Sequence, residues 1–193
     1  MLIHKTELLL SGKSSEIHYK WRSYEEISKF FPLAVIAAED QRFPEHFGFD
    51  FKAIETAIKD NQNGARIRGG STISQQVAKN LFCWPQRNYL RKAIESYYTV
   101  LIELLWNKKR ILEVYINIAE LGPQIYGVES AANFYFKKSA SGLTRDEAAL
   151  LAAVLPSPRR YSAINPTPYM VNRREWIKKQ MYQLGDKKYL KQL

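Results

Sequence analysis

Residues 143–158 read LTRDEAALLAAVLPSP, and the reading of its middle decides the fold. Thr144 and Glu147 stand three residues apart, the spacing at which a threonine hydroxyl and a glutamate carboxylate cap each other's backbone N–H at a helix start. The run AALLAAVL that follows is apolar nearly all round. A helix with no polar face is stable only when other elements surround it, so this stretch predicts the buried central helix of a helical domain. Pro156 and Pro158 end it.

Outward from this helix the helical period recurs. Pro32 suits the first turn of a short helix running to about Asp40, where its missing N–H costs nothing. Asp50 is placed to cap FKAIETAIKD, whose Phe51, Ile54 and Ile58 share a face. NQNGARIRGG, residues 61–70, reads as a polar glycine-bearing loop. Thr72 and Gln75 repeat the capping box ahead of a helix with Ile73, Val77 and Leu81 on its buried side, ended at Pro85. A long helix is expected from Arg91 to about Trp106, another from about Lys108 to Leu121 before Gly122-Pro123, and a short one from Gly127 to Phe136. Thr167 and Pro168 open a basic C-terminal helix that Gly185 closes. The expectation is one mostly α domain over residues 1–193, with residues 1–20 peripheral.

Composition narrows the partners. Lys and Arg exceed Asp and Glu by 10 charges, which points to an anionic partner: nucleic acid, a phosphate-bearing substrate or an acidic membrane. Cys83 is the only cysteine, which excludes an intrachain disulfide and Cys-rich zinc sites. His4, His18 and His46 are not spaced as metal pairs, so no protein-built metal site is expected. LAVIAA (33–38) and TVLIELLW (99–106) fall short of the roughly 18 apolar residues that span a bilayer, and Glu103 interrupts the second.

Three groups of residues carry chemistry. In RGGSTISQQVAKN, residues 68–80, Arg68 and two glycines precede Ser71 and Thr72 at a helix start, where free N–H groups hold oxygen anions. Gln75, Gln76, Lys79 and Asn80 add donors along the same helix. Arg87 and Lys79 could together grip a phosphate or diphosphate. On a wheel of about 100° per residue, Arg91, Lys92, Glu95, Ser96, Thr99 and Glu103 form one sector, which is either a solvated face or a site. Finally, the apolar run LAVIAA ends in Glu39 and Asp40. A carboxylate partly desolvated at such an end has a raised pKa and is prepared to take a proton. Asp40 reads as a structural cap, and His46 as a hydrogen-bonded loop residue.

In order, EDQRFPEHFGFD (39–50), RGGSTISQQVAKN (68–80), RKAIE (91–95), RILEVYINIAELG (110–122) and LTRDEAALLAAVLPSP (143–158) closely resemble the successive motifs of the family 51 peptidoglycan glycosyltransferases. The resemblance covers roughly Trp21 to Gly185. It implies a mostly α-helical, lysozyme-like fold with a smaller membrane-facing jaw lobe. It further implies transfer of an undecaprenyl-diphosphate-linked glycan to the 4-hydroxyl of lipid II, with inversion to a β-1,4 bond. Glu39 falls on the family's general base and Glu95 on its second essential glutamate. Gly70, Ser71, Thr72, Gln75, Gln76 and Asn80 resemble substrate-binding positions, and Phe43, Gly48 and Asp50 shape the cleft. Lys79, Arg87 and Arg91 are candidates for the diphosphate, and Arg68 for substrate binding. The sequence demands no cofactor, although the resemblance leaves room for a divalent cation, magnesium or manganese, at the diphosphate. The expected location is the outer face of a bacterial cytoplasmic membrane, with other cell-wall synthesis proteins as partners. The resemblance also implies an N-terminal membrane anchor, which is not expected among residues 1–193.

Two other readings compete. A glycan-cleaving muramidase or lytic transglycosylase needs only polymer and water, and would use neither a diphosphate grip nor lipid access. A basic helical nucleic-acid-binding module would account for the charge. The basic residues are dispersed and no recognition-helix signature is present, so no nucleic-acid partner is expected.

Overall fold

The computed structural model describes residues 17–52, 55, 70–86 and 88–193. The expected helix FKAIETAIKD and the loop of residues 61–70 lie almost wholly outside the described residues, as do Arg68 and Arg87. Seven helices are described: α1 (Phe30–Glu39), α2 (Ile73–Phe82), α3 (Tyr89–Leu105), α4 (Lys108–Ile118), α5 (Val128–Phe136), α6 (Arg145–Val154) and α7 (Pro168–Gln183). Three short strands, β1 (His18–Tyr19), β2 (Glu120–Gly122) and β3 (Ile125–Tyr126), form a small sheet of order β1-β3-β2. The first pair is parallel and the second antiparallel. The domain is mostly α, as the sequence predicts.

The central helix is α6. Both Thr144–Glu147 capping bonds form, and Ala148 to Val154 are all buried. It packs on α1 and α7, while α2 packs on α3 and α4. α1 is itself buried from Phe31 to Ala37 and surfaces only at its last turn, so its carboxylates emerge from the core into a cleft.

α3 is inverted relative to an ordinary surface helix. Glu95 is 3% exposed and Thr99 0%, whereas Leu104 is 66% exposed and Leu105 76%. Tyr89, Leu90 and Tyr97 also face outward. The polar sector seen in the sequence is therefore the inner face, and the solvated-stripe reading of it fails. Burying carboxylates costs free energy unless partners meet them, and each has one: Arg91 and Lys92 hold Glu95, and Ser74 and Lys108 hold Glu103.

Two expectations need correction. Leu81 is 42% exposed rather than buried, because it lies beside this outward apolar face. α4 stops at Ile118 instead of Leu121: Ala119 leaves helical geometry and its carbonyl accepts the Gly127 N–H at 2.9 Å, which starts the β2–β3 hairpin. Gly127 has φ +77°, and a Cβ there would lie 2.5 Å from the Asn117 carbonyl oxygen. Only glycine fits that approach.

Candidate active site

Glu39 is the last residue of α1, and its side chain is 16% exposed. It borders a cleft of about 220 Å³ lined by residues 39–42, Asp50 and residues 70–72. The Gln76 amide donates to Glu39 Oε2 at 3.0 Å, and Arg173 Nη2 stands 3.7 Å from Oε1. Burial pushes the Glu39 carboxyl above its ordinary range, and neighbouring Asp40 adds to that. Gln76, Arg173 and Lys79 oppose the rise without cancelling it. Such a carboxylate is a better proton acceptor than one in water.

Asp40 turns the other way. Its carboxylate accepts from His46 Nε2 at 2.9 and 3.1 Å and from the Ile73 N–H at 3.0 Å. It thereby ties the end of α1 to the first turn of α2, the capping role its position suggests. Because a carboxylate only accepts, His46 carries a proton on Nε2. Asp40, His46 and Asp50 bring metal-ligand atom types within 4.8 Å of one another. Those atoms are already engaged with each other, with the Ile73 amide and with Arg42, which meets Asp50 at 2.9 Å. The cluster is a hydrogen-bonded brace.

Several residues expected at the substrate instead build the walls behind it. Phe43 is fully buried beneath Lys108, whose ammonium lies 4.6 Å from the ring centroid, and so shapes the cleft from within. Gln75 is 5% exposed, and its side-chain oxygen accepts the Thr72 N–H at 3.0 Å. The Thr72 hydroxyl donates to the Gly48 carbonyl at 2.6 Å, joining α2 to the loop after Glu39. Gly48 has φ +75°, and a Cβ there would meet Thr99 Cγ2 at 2.7 Å. The loop can lie this close to α3 only without a side chain. Gly70 and Ser71 are exposed at the cleft, and Lys79 and Asn80 are exposed on α2.

On α3, Glu95 is clamped by Arg91 at 2.7 Å and Lys92 at 2.5 Å. Lys79 stands in the last turn of α2. It acts on Glu39 and also on Cys83, whose thiol burial pushes up and which feels Glu95 and Arg91 as well. Two positions were missed in the sequence. Arg173 lies in the basic segment NRREW of α7, where nothing distinguishes it from surface arginines. Tyr115, in RILEVYIN, donates from its hydroxyl to Gln76 Oε1 at 3.0 Å. Its helical spacing reads as core, and only the packed structure shows the hydroxyl beside Gln76.

The transglycosylase family model matches residues 6–182. A biosynthetic peptidoglycan transglycosylase of Shewanella oneidensis is 57% identical over 172 residues, covering 89% of this chain and 74% of its own. Proteins of the same description from Pasteurella multocida and Pseudomonas fluorescens are 55% and 51% identical, and each match covers 100% of this chain with 78% and 80% of the relative. With the family's model matched across most of its length and its relatives this similar, the chain belongs to the transglycosylase family.

Proposed function

We propose that Glu39 is the general base of this peptidoglycan glycosyltransferase and that the cations of α2 and α3 hold the departing diphosphate. The enzyme polymerises glycan chains, the activity its biosynthetic relatives are named for. Cleavage would leave the cation group and the outward apolar face without a task.

The substrates of this reading are a growing glycan on undecaprenyl diphosphate as donor and lipid II as acceptor. Glu39 takes the proton of the acceptor's 4-hydroxyl as that oxygen bonds to C1 of the donor's terminal sugar. The C1–O bond to phosphate breaks, its electron pair leaves with the diphosphate, and the configuration at C1 inverts. Diphosphate needs charge compensation more than a proton, and Lys79, Arg87, Arg91 and Lys92 supply it. Glu95 orients Arg91 and Lys92 through its two oxygens. Because both of those oxygens are taken, Glu95 does not suit a dedicated divalent-cation site, and no step here uses one.

The single observation that carries this reading is a partly buried carboxylate at a cleft, its pKa raised by burial, in a chain whose second expected glutamate is clamped by two cations on α3. The exposed Tyr89, Leu90, Tyr97, Leu104 and Leu105 on α3, with Leu81 and Phe82 beside them, support contact with a membrane that holds the lipid substrates. The net charge of +10 favours an anionic one. Among the described residues no helix is long and apolar enough to cross it; in this reading the outward face of α3 touches the outer face of the cytoplasmic membrane. The test is Glu39→Gln assayed with labelled lipid II. We expect polymer formation to fall by at least about a hundredfold with an unchanged melting temperature; substantial polymer would overturn the assignment.

A further inference from the structure

The two oxygens of Glu39 are not equivalent. Oε2 receives the Gln76 amide at 3.0 Å, while Oε1 faces Arg173 at 3.7 Å, beyond a direct hydrogen bond. An ionised carboxylate only accepts, so the amide nitrogen of Gln76 must point at it, and the amide oxygen then needs a donor elsewhere. Tyr115 supplies that donor at 3.0 Å from a side chain almost without exposure. Burial, with Glu39 and Asp40 nearby, holds the tyrosine hydroxyl well above its ordinary pKa, so it stays protonated. Arg173 arrives from α7, and its Nη2 also approaches the Ala38 carbonyl at 3.4 Å, at the helix end where positive charge is favoured.

We propose that Tyr115 and Arg173 are positioning residues for Glu39: Tyr115, acting through Gln76, holds Oε2 and leaves Oε1 to take the acceptor proton, while Arg173 keeps that carboxylate ionised beside Asp40. The proposal rests on Glu39 being the base. The ionisable groups that act on Glu39 are Asp40 next in the chain, Lys79 from α2 and Arg173 from α7, while Tyr115 from α4 in turn feels Glu39 and Asp40. Of the other elements packed on α1, α6 presents its alanines and leucines, and the C-terminal turn presents Tyr189, whose hydroxyl donates to the Gln41 carbonyl.

The sign follows. Removing Arg173 removes a positive charge that favours the ionised base, and removing the Tyr115 hydroxyl frees the Gln76 amide to turn its nitrogen away. Either change makes Glu39 easier to protonate, so the acidic limb of the kcat profile moves to higher pH.

The test compares Tyr115→Phe, Arg173→Ala, Arg173→Lys and Glu39→Gln in the full chain, with labelled lipid II across pH and with thermal melts alongside. For Arg173→Ala the acidic limb should move up by about one pH unit, with Arg173→Lys restoring most of it. For Tyr115→Phe, which keeps the ring, the limb should move the same way and kcat fall by about tenfold, with KM within about twofold. If Glu39→Gln is inactive but neither limb moves, the positioning proposal is wrong even though the base assignment survives. A lowered melting temperature in Tyr115→Phe with an unmoved limb would likewise reduce the tyrosine to a core residue. If Glu39→Gln polymerises normally, the base assignment falls and takes this proposal with it.

Discussion

Replacing Leu104 and Leu105 together with alanine separates membrane contact from folding. Both lie on the outer face of α3, 66% and 76% exposed, so the folded core uses little of either side chain. Surface truncations of this kind change stability by about 0.5 kcal/mol or less each. In a bilayer the same atoms count fully. Leucine to alanine removes three carbons, worth about 0.8 kcal/mol each when buried. Scaled by the exposed share, this comes to about 1.7 kcal/mol per leucine and about 3 kcal/mol for the pair, or more than about a hundredfold in partitioning. Sedimentation with vesicles containing anionic lipid at fixed salt reads the partitioning, and a thermal melt reads the fold. We expect vesicle binding to collapse while the melting temperature holds. Unchanged vesicle binding would refute the membrane role of this face, and a large loss of stability would show that the leucines are packed after all.

Three further outcomes are expected. Burial pushes the Glu129 carboxyl up, but Arg22, the Ala140 N–H and Ser139 together bring it down to about 2, from an ordinary 4.5. The unfolded chain therefore binds more protons in that range: the stabilisation is complete above about pH 4.5 and is lost as pH falls toward 2. At about 1.4 kcal/mol per pH unit it amounts to about 3 kcal/mol, and denaturant melts should show this slope in the parent chain but not in Glu129→Gln. Gly48→Ala should lower the melting temperature by several degrees, because it combines a positive φ with a 2.7 Å approach to Thr99; an unchanged melt would show that the loop shifts freely. Lys79→Ala should reduce polymerisation by about tenfold or more while leaving the melt intact, and unchanged kinetics would remove Lys79 from the diphosphate grip.

Local rules placed most of the elements. The capping pairs Thr72–Gln75 and Thr144–Glu147, Pro168 and Gly185 set helix ends within a few residues, because capping involves groups three or four positions apart. The uniformly apolar run in α6 announced its own burial, since no single-sided environment suits it. Glu39 at the end of an apolar helix was likewise legible as a desolvated acid.

What the sequence alone determined, then, was where the helices lie, which of them is central, and which carboxylate emerges from the core. Tertiary structure decided which face of α3 turns inward, because periodicity reports that two faces differ but not which one the protein covers. It also decided that Phe43 and Gln75 stand behind the cleft, and it brought Tyr115 and Arg173 to Glu39 across 76 and 134 residues of chain. Contacts so distant leave no local pattern. They exist only once packed helices hold a hydroxyl, an amide, a guanidinium and a carboxylate within a few ångströms of one another.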